Sequence, residues 1–133
     1  MFIINCKNYN EISGERINKL AAIAEKISKK HKIQIALAPP HHQLASIKKS
    51  NLLVFAQHLD DAKVGSTTGY MIPEIVKKSK VNGALINHSE HRISSKEITS
   101  LVKRLKKLKM KTKRHYCNKC GLKNNKCKCE KLK

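Results

Sequence analysis

The sequence predicts an α/β fold whose strands run parallel and are covered on both faces. Two observations carry that prediction. Strand-like and helix-like segments alternate four times between Met1 and Leu108. The strand-like segments are apolar at nearly every residue rather than at every second one, the pattern of strands buried on both sides in a barrel or a doubly wound sheet. A chain of 133 residues has room for one such domain and a small appendage.

The elements follow in order. FIINC, Phe2 to Cys6, is a short β-branched run and predicts the first strand. After KNYNEISG, the recurrence of Ile17, Leu20, Ala21, Ala24 and Ile27 at three- and four-residue spacing predicts an amphipathic helix. IQIALAPP, Ile33 to Pro40, predicts a second strand stopped by two prolines that cannot continue a ladder. A weakly helical stretch precedes LLVFAQ, Leu52 to Gln57, the third strand. The loop GSTTGYM leads to Pro73 and Glu74, which suit the first turn of a short helix. GALIN, Gly83 to Asn87, predicts the fourth strand. Ser94 and Glu97 have capping-box spacing and open a helix with the stripe Ile98, Leu101, Val102, Leu105 and Leu108.

Trp is absent and aromatic residues make up 4% of the chain, so the core must be built from Ile, Leu, Val and Ala. No apolar run approaches the roughly 18 residues that span a bilayer, and the N-terminus lacks a charged-then-apolar leader. These features predict a cytoplasmic protein with no membrane partner.

In folds of this class the residues that follow each strand gather at one rim, where sites are built. Here they are Asn5 and Lys7, then His41 and His42 beyond Pro39, then Gln57 and His58, then the polar knot Asn87 to Arg92. Amides, an ammonium and imidazoles converging at one rim suit an anionic small molecule. Taken singly, each has an ordinary explanation: Lys7 as a solvated charge, Asn5 as a turn residue, His88 as a surface histidine.

Together these stretches resemble the triosephosphate isomerase family, and its short archaeal branch in particular. NCKNY resembles the strand-one signature, FAQH the end of strand three, GSTTG the interdigitating third loop, and NHSEHR the strand-four motif that carries an electrophilic histidine. The match runs in order over about Met1 to Met110. It implies half of a TIM barrel, four βα units in residues 1–110, followed by a basic tail in 111–133.

The resemblance implies interconversion of glyceraldehyde 3-phosphate and dihydroxyacetone phosphate in glycolysis and gluconeogenesis, with no cofactor. That reaction moves a proton between adjacent carbons through an enediolate, and needs a base, a group that polarises the carbonyl and a cation for the developing charge. Lys7 takes the role of the cation, Asn5 that of a substrate-binding or lysine-orienting amide, and His88 that of the electrophile. This family is itself the standard example of a histidine kept neutral for that purpose. Ser89 and Glu90 are supporting residues; Ser89 positions the turn, and Glu90 pairs with Lys7 or holds the pocket. The family's base is a Glu near strand six, and no residue here matches it. The implication is an isomerase half, inactive until self-association or a complementary half-barrel chain completes it.

The tail differs in kind. Met1 to Val102 carries 15 Lys/Arg against 8 acids, while Lys103 to Lys133 carries 14 against Glu130 alone. Such a block is either a solvated face or an arm for a polyanion such as RNA. Cys117, Cys120, Cys127 and Cys129 stand in CNKCGLKNNKCKCE; four thiolates at such spacing suit tetrahedral Zn²⁺. That stretch also resembles the zinc motif of archaeal translation-initiation factors related to eukaryotic factor one. Two readings therefore stand beside the isomerase half: a non-enzymatic, zinc-containing RNA- or ribosome-associated module, and a gene remnant or fusion artefact.

Overall fold

The computed structural model describes residues 1–47 and 51–114. Five parallel strands form one sheet in the order β1-β2-β3-β4-β5: β1 Phe2–Asn5, β2 Ile35–Ala38, β3 Leu53–Ala56, β4 Gly83–Ile86 and β5 Lys111–Arg114. Helix α1, Arg16–His31, joins β1 to β2. Helix α2, Pro73–Lys78, precedes β4, and α3, Ser95–Lys107, joins β4 to β5. This is the first half of a βα barrel, with each strand beside its neighbour in sequence. The weak helix expected after β2 is only a 3-10 turn, His41–Gln43, among the described residues.

β5 extends the sheet past residue 110. The chain does not leave the sheet there: Gly83 to Ile86 pair with Lys111 to Arg114 in parallel register. A strand sequence of Lys-Thr-Lys-Arg carries no apolar signal. It is held by its backbone ladder and by the buried Met110 that leads into it. Charge on such an edge is a known device against unwanted pairing. Among the described residues the edges of the sheet are β1 and β5.

The period of two divides the strands between two cores. On one face Ile35 and Leu37 pack with Cys6 under Ile17, Ala21 and Ala24 of α1. Further along, Ala56, Ala84, Ile86 and Met110 pack under Leu101, Val102 and Leu105 of α3. On the other face Ala36, Ala38, Phe55 and Leu85 form a separate cluster. The predicted stripes hold at their centres, whereas Ile27 lies outside the buried face and is 42% exposed. Gly83 serves Phe55: a Cβ there would lie 2.7 Å from the aromatic ring and against the Lys111 carbonyl.

Local signals set the helix ends. Ser94 Oγ accepts the Glu97 amide at 3.2 Å while the Glu97 carboxylate accepts the Ser94 amide at 2.8 Å, so the capping box is complete. Pro73 opens α2. The α2 and α3 layers are fastened by Arg104, whose Nε and Nη2 donate to Glu74 at 3.1 and 2.5 Å. Its Nη1 donates to Asp61 at 2.8 Å and Nη2 also reaches the Ala62 carbonyl at 2.9 Å. A forked guanidinium between two carboxylates spends its donors well. It pins the loop after β3 onto α3 and so fixes the rim near β3 and β4.

Candidate active site

All the strand-end residues singled out in the sequence lie at the carboxyl rim of the sheet, and most line one cavity of about 690 Å³. Asn5, Lys7, His88 and Glu90 share that cavity with His41, His42, Gln57, His58 and His91. Ser89 is exposed in the turn after β4 and does not line it.

Lys7 sits just past β1 with φ +49°, a left-handed conformation uncommon for a residue with a Cβ. Asn5 supports that conformation, since its Oδ1 accepts the Lys7 amide at 3.1 Å. Gln57 holds the same turn from β3, donating to the carbonyls of Lys7 at 3.0 Å and Ala38 at 3.1 Å. Thus one amide side chain ties the ends of three strands together. Lys7 Nζ then meets Glu90 Oε1 at 2.5 Å. The hydrogen bond from Lys7 holds the Glu90 carboxyl below its ordinary range, and the same bond raises the lysine.

Asn87 ends β4 with φ +60°, and its own groups close the turn. Its Oδ1 accepts the Ile93 amide at 3.0 Å, and its carbonyl accepts Arg92 Nη1 at 3.2 Å. Within the turn the His91 amide donates to the His88 carbonyl at 2.9 Å. The Glu90 amide donates to His88 Nδ1 at 3.3 Å, closer than the Glu90 carboxylate at 3.5 Å. A neutral imidazole that accepts at Nδ1 carries its N–H at Nε2. An imidazole with that tautomer can donate to a carbonyl oxygen.

Behind this pair lies a histidine cluster. Buried His58 places Nε2 3.2 Å from Asp60 Oδ1, and its backbone N–H donates to His41 Nε2 at 3.1 Å. Asp60 is held in turn by the Met71 amide at 2.7 Å. Burial first, and neighbouring imidazoles second, push both His41 and His58 below the ordinary histidine range. The His58 and His91 rings stack with centroids 3.7 Å apart and planes 12° from parallel. Among the described residues no group of three or more His, Cys, Asp or Glu is arranged to hold a metal ion.

A cation, an imidazole N–H and a polar wall at the carboxyl rim of parallel strands fit an anion bearing a carbonyl. A family model described as "Triosephosphate isomerase" matches residues 1–123. The chain belongs to the triosephosphate isomerase family. It is 56% identical over 110 residues to the triosephosphate isomerase of Cenarchaeum symbiosum, a match covering 83% of this chain and 50% of that protein. Against the Methanocaldococcus jannaschii triosephosphate isomerase the identity is 39% over 113 residues, covering 84% and 52%. In fold it is similar to the crystal structure of triosephosphate isomerase from Bartonella henselae, with a TM-score of 0.71 at 21% identity over 85% of this chain and 49% of that one. The chain thus spans about half the length of the curated relatives it matches.

Within the triosephosphate isomerase frame, the cavity's own carboxylate is a poor base, because Glu90 is committed to Lys7. Sequence reading placed His58 and His91 at strand ends without giving them roles. Their contact joins two rim loops and has no signature in local spacing. Cys6 is buried beside the site, and burial pushes its thiol up to about 11, so it packs as an apolar residue. Cys117, Cys120, Cys127 and Cys129 lie outside the described residues, as does the resemblance of residues 116–131 to an initiation-factor zinc motif. No helix among the described residues is long and apolar enough to cross a membrane.

Proposed function

We propose that this chain supplies the electrophilic half of a triose-phosphate isomerase site, with His88 and Lys7 acting on the substrate and the base contributed by further strands. The observation that carries the reading is the meeting of Lys7, Asn5 and His88, whose Nδ1 faces the Glu90 amide, at one cavity. In this reading His88 Nε2–H polarises the carbonyl and Lys7 balances the enediolate charge. Glu90 yields Lys7 to the incoming anion. In this reading the five strands among the described residues are the first five of an eight-stranded barrel, and strands six to eight would complete it.

The test is a coupled assay of glyceraldehyde 3-phosphate turnover. The full chain is measured alone and after co-expression with the C-terminal half of the Cenarchaeum symbiosum relative. Turnover is expected only in the second case. Robust turnover by the chain alone, abolished by His88→Ala, would overturn the claim that the base comes from elsewhere. Failure of every combination to turn over, in a complex shown to have assembled, would overturn the functional reading itself.

The tail carries a separate proposal: Cys117, Cys120, Cys127 and Cys129 bind about one Zn²⁺ as a tetrathiolate. Metal analysis should find zinc in the purified chain and a sharp loss in the double variant Cys120→Ser, Cys127→Ser. Equal metal content in the two would reject the site.

A further inference from the structure

We infer that His41 is an acid-sensitive clasp on the cavity wall, joining the turn after β2 to the end of β3 only while its ring is neutral. The joint is a hydrogen bond in which the His58 backbone N–H donates to His41 Nε2 at 3.1 Å. A neutral imidazole accepts through the lone pair of one nitrogen, and protonation makes both nitrogens donors. A protonated His41 therefore sets a donor against the His58 N–H, and the bond is lost. Control of the site by this clasp rests on the isomerase reading, whereas the clasp itself does not. Both sides of the joint are anchored. Pro39 and Pro40 are fully buried and lead into the 3-10 turn His41–Gln43. The Leu44 amide closes that turn on the His41 carbonyl at 3.2 Å, and Leu44 is itself buried in a core cluster with Ala56 and Leu59. Across the joint, His58 is buried with its ring 3.2 Å from Asp60, and Asp60 accepts the Met71 amide. His41 and His58 both line the cavity, so parting them alters its wall.

The charges around the joint select His41 as the sensor. His42 stands beside it in the turn, His58 and Asp60 face it from the loop after β3, and His91 faces it from the turn after β4. Glu97 of α3 acts on His58, while Lys7, Tyr9, His88 and Glu90 complete the titratable lining of the cavity. A proton on His58 would strengthen its bond to Asp60, whereas a proton on His41 breaks a bond. Burial first, and then the neighbouring imidazoles against the opposing pull of Asp60, hold His41 below the ordinary histidine range. The sign follows. The clasp is complete above the ordinary histidine pKa of about 6.5, and it is lost as pH falls through the lower value of the folded chain.

The experiment is an NMR titration of the full chain from about pH 8 to about pH 5, the span in which histidines change charge. The His58 backbone amide and the rings of His41, His58 and His91 are followed in wild type and in His41→Gln, whose side-chain oxygen accepts but does not titrate. In wild type the His58 amide proton is expected to move upfield on acidification, with the midpoint of the His41 ring. Its protection against exchange, corrected for the intrinsic pH dependence, should fall by up to about tenfold, the factor carried by one ordinary hydrogen bond. In His41→Gln the amide should hold its neutral-pH position throughout. A wild-type amide that does not move would overturn the inference, as would one that follows the His58 or His91 ring instead. So would a His41→Gln amide that titrates like wild type. The wild-type titration decides alone if the variant does not fold. None of these readouts requires turnover, so an inactive assembly with this titration intact would reject the isomerase reading and leave the clasp standing.

Discussion

Phe55→Ala is expected to cost about 3–5 kcal/mol of stability, the range for removing a fully buried aromatic ring. Phe55 is 0% exposed and is the largest side chain of the cluster on the sheet face away from α1 and α3. Ala36 and Ala38 are short and Gly83 has no side chain, so among its neighbours only Leu85, Ile3 and Leu53 could move into the space it would leave. Urea unfolding followed by circular dichroism reads the loss directly, with Phe55→Leu expected to recover part of it. A loss below about 1 kcal/mol would mean that this face is not a packed core. Gly83 belongs to the same argument, since the ring occupies the place where another residue would carry its Cβ.

The second large effect concerns the site in its completed form. Lys7→Met keeps most of the stem but removes the charge, and it is expected to lower turnover of the co-expressed assembly by about 10²–10³-fold, the cost of losing one preorganised partner of a developing oxyanion. His88→Ala should lose a comparable factor. Glu90→Gln provides the contrast: it frees Lys7 from its ion pair but keeps the backbone amide that donates to His88 Nδ1. The coupled assay with the substrate varied checks all three variants. A Lys7→Met effect under about tenfold would remove Lys7 from the chemistry.

Four strands were legible as apolar runs; β2 and β4 are buried at every residue, while β1 and β3 keep the apolar run with only partial burial. β5 was not, because Lys-Thr-Lys-Arg has no apolar run and the strand joins the sheet through its backbone ladder to β4. Helix α3 was legible down to its cap, since Ser94 and Glu97 act over three residues. The rim residues Asn5, Lys7 and His88 could be found because a strand end fixes where the next residues must go. The contact of His58 with His91 depends on the spacing of two loops and the shape of a turn. Neither quantity is written in the local sequence. Gln57 lies between these cases: its place at the end of β3 was plain, but its reach to the carbonyls of Lys7 and Ala38 depends on how three strands are staggered.

The Lys-Thr-Lys-Arg edge of β5 has a further consequence, which concerns the choice of neighbour. A parallel edge offers the same backbone ladder to any extended segment, and that ladder does not discriminate. Discrimination comes from the charge set beside it. A second Lys-Thr-Lys-Arg segment arriving alongside would bring cations against cations. A strand carrying acids, or an apolar strand with no charge to oppose, meets no such barrier.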